Sequence, residues 1–331
     1  MKLRVKKINF INEILVILAV LYAFYSLEPY FIWKTYSNGV FGYFLGSVPY
    51  RNIFGILFII CFVITSKGII KSDKTNGFLS IGVFICSILL VALAGGIENT
   101  HTFSLTWIPY FVVMCYIFLP SDQKIKAYNI YLFIFSITLI LPIIYYLLLR
   151  LGINIPYSTL EPQEAIKVIR GFHYKNYFLA VQRTHSYDLL AELKMCGIYD
   201  ESGRLGTLAA LFLVSERLKI KEKWQNIICL IAGILSFSLA FYIIIIIYYC
   251  GMCIFNRKIK NVMIIATVII AYFAFLNVQF KDSTIQNLQS RISITETGLS
   301  GDNRTNNQFD LLMDDFSENS NIYTLMFGRG D

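Results

Sequence analysis

The stretch MCGIYDESGRLGTLAALFLV, Met195 to Val214, sets two adjacent carboxylates, Asp200 and Glu201, then a serine, a glycine and Arg204 at the doorstep of an apolar helix. A carboxylate held within hydrogen-bond reach accepts a proton from a hydroxyl, and a guanidinium stays protonated and offers paired donors to an anion. An apolar run entering lipid needs only a turn and an aromatic residue before it, so this is more charge than the helix start demands. A plainer reading stands beside the chemical one. Acids suit the positive end of a helix dipole, Ser202 or Gly203 can cap the helix, and Arg204 can snorkel to headgroups.

The elements that must position these residues are set by composition. With 56% hydrophobic residues, 15% charged residues and a mean hydropathy of +0.60, the 331-residue chain reads as an all-α polytopic membrane protein. Its net charge of +8 and pI of about 9.0 do not point to nucleic acid, because membrane proteins concentrate Lys and Arg in cytoplasmic loops. No cleavage pattern follows the first apolar run, which is preceded by Lys2, Arg4, Lys6 and Lys7, so it reads as a retained first helix with the amino terminus inside. Of seven cysteines, only Cys196 lies in an outer loop; the CxxC of Cys250 and Cys253 lacks a second ligand pair, and His101, His173 and His185 are scattered. Buried thiols are the reading, with no metal and no cofactor.

A span needs about 20 mostly apolar residues. Runs of that kind cover 9–27, 51–66, 77–95, 104–119, 127–149, 204–219, 226–255 and 261–279. Thirty helical residues from 226 would reach about 45 Å against a core of about 30 Å, so the polar Ser236–Phe237–Ser238 predicts a break and two short helices. With that break, 16 of the 29 Lys and Arg residues fall in cytoplasmic segments, as the positive-inside bias requires. The expected organisation is about nine transmembrane helices: five in 1–149, a large extracytoplasmic loop at 150–203, four helices in 204–279, and a second extracytoplasmic loop at 280–331. Glu13 falls near the cytoplasmic end of the first helix and is read as non-catalytic.

Ten of the remaining basic residues sit in those two loops and Arg204 stands at the edge of the first, where the retention rule does not need them. The first loop is rich in aromatic and aliphatic residues and is expected to fold onto the membrane. Pro162 with Glu161 and Glu164 predicts a helix start, and YDLLAELKM an amphipathic interfacial segment. Contact of Arg170, Lys175 and Arg183 with lipid headgroups is the competing account of their charge. The second loop is polar, with a short helix expected around 306–316.

GIYDESGRLGTLAAL resembles the segment that bacterial O-antigen and capsule polysaccharide polymerases of the Wzy type, in the superfamily shared with O-antigen ligases, carry after their large outer loop. That pattern is Gly, hydrophobic, aromatic, any residue, Glu, Pro, Gly; Glu201 and Gly203 match, and Ser202 stands in the place of proline. LSFSLAFYIIIII looks like the family's helix ending at a small-polar outer turn. In the tail, Arg291, Asn303, Arg304 and the run Phe327, Gly328 and Gly330 follow the order of the family's second outer loop. Relatives continue past that loop with further helices, so this chain is expected to be a truncated piece.

The resemblance implies a metal-independent membrane glycosyltransferase of the bacterial inner (plasma) membrane, multi-pass, with its site on the extracytoplasmic face. Its substrate is a polyprenyl-diphosphate-linked oligosaccharide, transferred onto a sugar hydroxyl of another lipid-linked unit; a chain-length regulator and a flippase are the expected partners. Glu201, His185 and His173 are the candidates for the proton acceptor. Arg170, Arg183, Arg204, Arg291 and Arg304 are the candidates for diphosphate or glycan binding. An O-antigen ligase is the near rival. A lipid-linked sugar transporter is the rival of another class, which predicts charged residues at mid-membrane where this chain has almost none.

Overall fold

In the computed structural model, residues 2–33, 47–65, 108–161, 171–185 and 194–256 are described, with isolated positions between 81 and 299. The helices are α1 Lys2–Ser26, α2 Tyr30–Trp33, α3 Ser47–Thr65, α4 Ile108–Phe118, α5 Ser121–Arg150, α6 Ser202–Ser215, α7 Trp224–Leu235 and α8 Leu239–Asn256. The strands are β1 Ser158–Leu160, β2 Phe172–Asn176, β3 Val181–His185, β4 Ile294–Thr295 and β5 Gly298–Leu299. Two compact units divide the chain, one of Met1–Ser26, Val48–Tyr131 and Asp302–Asp331, the other of Leu27–Ser47 and Leu132–Gly301.

The protein is mostly helical, and among the described residues α5 is the one helix long and apolar enough to cross a membrane. Its 30 residues reach about 45 Å. Asp122 in its first turn and Arg150 in its last complement the helix dipole. Phe133, Ile137, Ile140, Ile144 and Leu147 are all exposed at three- and four-residue spacing. An exposed apolar stripe of that kind marks a surface for a protein partner or for lipid.

In the first unit, α3 packs closely at Gly55, where a Cβ would come within 2.6 Å of Ile108 Cγ2 on α4 and 3.1 Å of Tyr22 on α1. Glu13, read from sequence as non-catalytic, is ion-paired with Lys126 at an exposed position. In the second unit, the expected break at Ser236–Ser238 is present and separates α7 from α8. Ser236 Oγ donates to the carbonyl of Gly233 at 2.7 Å and accepts from the Ser238 N–H at 3.2 Å. Phe237 takes a φ of 47° to complete the turn. The turn fits only because glycines face it: a Cβ on Gly206 would lie 2.3 Å from the Cβ of Ser238, and one on Gly233 2.0 Å from the Phe241 ring.

The all-α expectation needs correction within the first loop. β1, β2 and β3 form an antiparallel sheet in which Leu160 pairs with Tyr174 and Tyr174 with Arg183. Its sequence signal is alternation: Phe172, Tyr174 and Asn176 share one face, and aromatic and β-branched residues suit such a half-buried pleat. A two-residue turn at Phe178–Leu179 closes the hairpin, with Tyr177 N–H donating to Ala180 at 2.9 Å. β4 and β5 form a second, minimal ladder. The expected span at 77–95 and the helix start at Pro162 fall almost wholly outside the described residues, and more than half of the span at 261–279 does. So does most of the amphipathic segment, and so does the short helix around 306–316.

Gly206→Ala should lower the melting temperature of the purified protein, because overpacking of this kind costs about 1–3 kcal/mol. Gly203→Ala, where an added Cβ meets nothing within 4 Å, should leave it unchanged or slightly raised. Equal melting temperatures for the two variants would contradict the close approach of α6 to the Ser236–Ser238 turn.

Candidate functional site

The stretch that carries the acids begins as a buried, non-helical segment: every residue from Met195 to Asp200 is buried. Buried backbone polar groups need partners, and each one named here comes from a different place. The Met195 N–H donates to the Leu235 carbonyl at the end of α7 at 3.0 Å. The Gly197 carbonyl accepts from Val181 at the start of β3, and the Ile198 carbonyl from Tyr30 of α2, both at 2.8 Å. Tyr174, fully buried on β2, donates its hydroxyl to the Asp200 carbonyl at 3.0 Å.

The segment lies along α5. Tyr199 stacks on Phe135, with ring centroids 6.3 Å apart, and Gly197 sits where a Cβ would be 3.3 Å from Leu139. Gly197 also takes a φ of 68°, a left-handed conformation that costs glycine least.

The charged residues gather where this segment meets α6. Arg204 donates from Nη1 to the Leu27 carbonyl at 2.7 Å. Its Nε lies 3.5 Å from Asp200 Oδ1, and Nη1 lies 3.9 Å from Glu28 Oε2. The guanidinium therefore ties the start of α6 to the chain leaving α1. A charge-assisted hydrogen bond of this kind contributes about 1.5–3 kcal/mol net. Glu28 reaches it from a backbone φ of 51°.

Glu201 occupies the position before the first turn of α6, with extended backbone (φ −136°, ψ 136°), yet its side chain makes no capping hydrogen bond. Capping was the plainer account of this carboxylate, and Ser202 or Gly203 do not supply the cap position either.

Arg183 lies opposite Tyr174 in the ladder, with its guanidinium 3.7 Å from the centroid of the Phe172 ring. Burial raises the Tyr174 phenol above its usual range, and the charges of Asp200 and Glu201 add to that rise while Arg183 opposes it. Asp200, Glu201 and Arg183 thus all act on one hydroxyl. Burial likewise pushes the Cys196 thiol up to about 11, so it is a neutral, inert core thiol at pH 7.

Of the sequence candidates, Glu201, Arg183 and Arg204 are brought to one place. The histidines are not set side by side: His173 is exposed and pairs with Thr184, while His185 pairs with Phe172 in the same ladder. Arg170, Arg291 and Arg304 lie outside the described residues. Tyr174, Tyr30 and Glu28 were not anticipated, since only the fold brings them to the motif. Asp200 and Arg204 at four-residue spacing had a local signal. Among the described residues, no three His, Cys, Asp or Glu side chains converge as metal ligands. Comparison with protein-family models, curated protein sequences and solved structures finds no match. Fold and site thus define a mostly helical protein with a membrane-length helix and a charged cluster beside a buried loop.

The buried thiol gives the site a pH signature. The fold holds Cys196 protonated up to about 11, whereas the unfolded thiol ionises near its ordinary value of 9.0. As pH rises through that window the unfolded chain releases the proton first, so stability falls. Cys196→Ala should flatten that fall in melting temperature; a wild-type curve level across the window would contradict a buried neutral thiol.

Proposed function

We propose that the chain is a membrane glycan polymerase of the O-antigen or capsule type, extending a glycan carried on a polyprenyl diphosphate. One observation supports this reading most: the charges of Arg183 on β3 and of Asp200 and Glu201 before α6 act on the Tyr174 hydroxyl, and Arg204 pairs with that same Asp200, next to a helix of membrane-crossing length. Concentrated ionisable groups beside a membrane helix are costly and mark function more often than packing.

In the proposed reaction the hydroxyl oxygen of one lipid-linked unit bonds to the anomeric carbon of another. The bond from that carbon to the diphosphate oxygen breaks, and the lipid diphosphate leaves with the electron pair. Glu201, not engaged in capping α6, accepts the hydroxyl proton. Arg183 holds the departing diphosphate together with Arg170, Arg291 and Arg304, and planar guanidinium donors suit that anion. Arg204, directed at Leu27, Asp200 and Glu28, is a positioning residue that holds the start of α6. The nine-helix topology, with residues 150–203 and 280–331 outside the bacterial inner membrane, belongs to the same proposal.

Deletion of the gene in its host should leave surface glycan with single repeat units and no long chains on electrophoresis. Loss of all glycan would indicate a ligase, and an unchanged ladder would refute both. In the restored strain, Glu201→Gln should abolish elongation at normal protein level, and Arg183→Lys should rescue less than half of what the native residue supports. Arg204→Ala should lose activity together with melting temperature. A cysteine introduced at Ser158 should react with a membrane-impermeant maleimide in intact spheroplasts; labelling only after lysis would overturn the topology.

A further inference from the structure

The β2–β3 hairpin carries a feature that neither the charged cluster nor the proposed reaction uses. Its two turn residues, Phe178 and Leu179, have φ of 58° and 53°. A turn with both central residues left-handed normally takes Asn and Gly, because a Cβ is strained there. Here the conformation is imposed by its surroundings. The Leu179 N–H donates to the Tyr30 hydroxyl at 2.7 Å, and the Phe178 N–H to Asn176 Oδ1 at 3.2 Å. The result is a phenylalanine at the tip that is 70% exposed.

Where that tip lies is set by its neighbours. Tyr177 packs against Tyr145 of α5, with centroids 6.3 Å apart, and against Tyr157 at 5.7 Å. Tyr177, Ala180 and Val181 line a small cleft with Pro142, Tyr145 and Tyr146 of α5. Tyr145 is five residues short of Arg150, or about 7.5 Å along the helix axis. The hairpin therefore runs down beside the last turns of α5 and does not stand above its end.

Around it the surface has the character of a bilayer interface. Arg150 lies over the Tyr146 ring at 5.0 Å and Lys175 over the Tyr157 ring at 5.4 Å. Tyrosine rings and the long side chains of Arg and Lys both gather at headgroup depth. Leu151, 76% exposed, continues the apolar stripe of α5 beyond the helix end, with Ile153 and Tyr157 also exposed.

We infer that the hairpin tip is a lipid-inserted wedge: Phe178 enters the acyl region of the leaflet at the Arg150 end of α5, with Leu151 beside it and Arg150 and Lys175 at the headgroups. The occupant is lipid because the tip lies below the end of a helix that itself presents an apolar stripe. Aqueous exposure of Phe178 at that level would require the bilayer to withdraw from α5. The wedge rests on α5 crossing the membrane and not on the proposed reaction.

The test uses the full chain in vesicles of phosphatidylcholine and phosphatidylglycerol, with Phe178→Trp and, separately, Leu151→Trp. Emission from the wild-type chain, which has three native tryptophans, is subtracted. The added emission should be blue-shifted, quenched by phosphatidylcholine brominated near the carbonyl end of its acyl chains, and resistant to aqueous iodide. Leu151→Trp reads the same surface without touching the strained turn, so a poorly folded Phe178→Trp still leaves a decisive measurement. Quenching by iodide and not by brominated lipid, at either position in folded protein, would overturn the wedge and leave Phe178 as a water-facing residue.

Discussion

Burying six residues of irregular backbone, Met195 to Asp200, is the constraint on which the second unit depends. Each unpaired backbone group there would cost desolvation with nothing in return. The segment meets this through α7 at one end, β3 and α2 in the middle, and the Tyr174 hydroxyl at the other. The same four contacts therefore position the hairpin, the chain leaving α1 and the two following helices. Gly197 completes the fit, since its left-handed backbone and its closeness to Leu139 both disfavour a side chain. Irregular backbone is tolerated beside membrane helices only where protein covers it, and this segment is covered throughout.

The electrostatics follow from that fixed backbone. Once Asp200 is held by its own carbonyl, its side chain lies within reach of Arg204 one helical turn on, and Arg204 then reaches Leu27 and Glu28. A guanidinium with two acids and a carbonyl around it is a clamp. Glu201, one residue from Asp200, stands before α6 without capping it. Adjacent carboxylates thus take different environments because successive residues at a helix start point in different directions.

Close packing finishes the arrangement. α6 has 14 residues and α7 has 12, about 21 Å and 18 Å. Helices this short bring the turn at Ser236–Ser238 down to Gly206, where only a hydrogen in place of a side chain allows the contact. The turn, the start of α6 and the buried loop are then neighbours, which is how a polar patch forms among apolar elements.

By itself the amino-acid order determined what is local. Apolar runs placed α3, α4 and α6 to within four residues at each end, and the carboxyl ends of α1 and α5 to within one, because helix period and burial are written in neighbours. The polar Ser236–Ser238 placed the break, because thirty residues overrun a bilayer. It also singled out Asp200, Glu201 and Arg204 as surplus charge. Tertiary structure decided what those charges face. Glu28 lies 176 positions from Arg204, and Tyr174 lies 26 from Asp200, so neither pairing leaves a spacing to read. The hairpin was equally opaque, since its alternation is short and its turn uses Phe178 and Leu179 where a local rule expects Asn and Gly. That turn exists because Tyr30 and Tyr145, remote in sequence, hold it, and contacts of that range are settled only when the chain is folded.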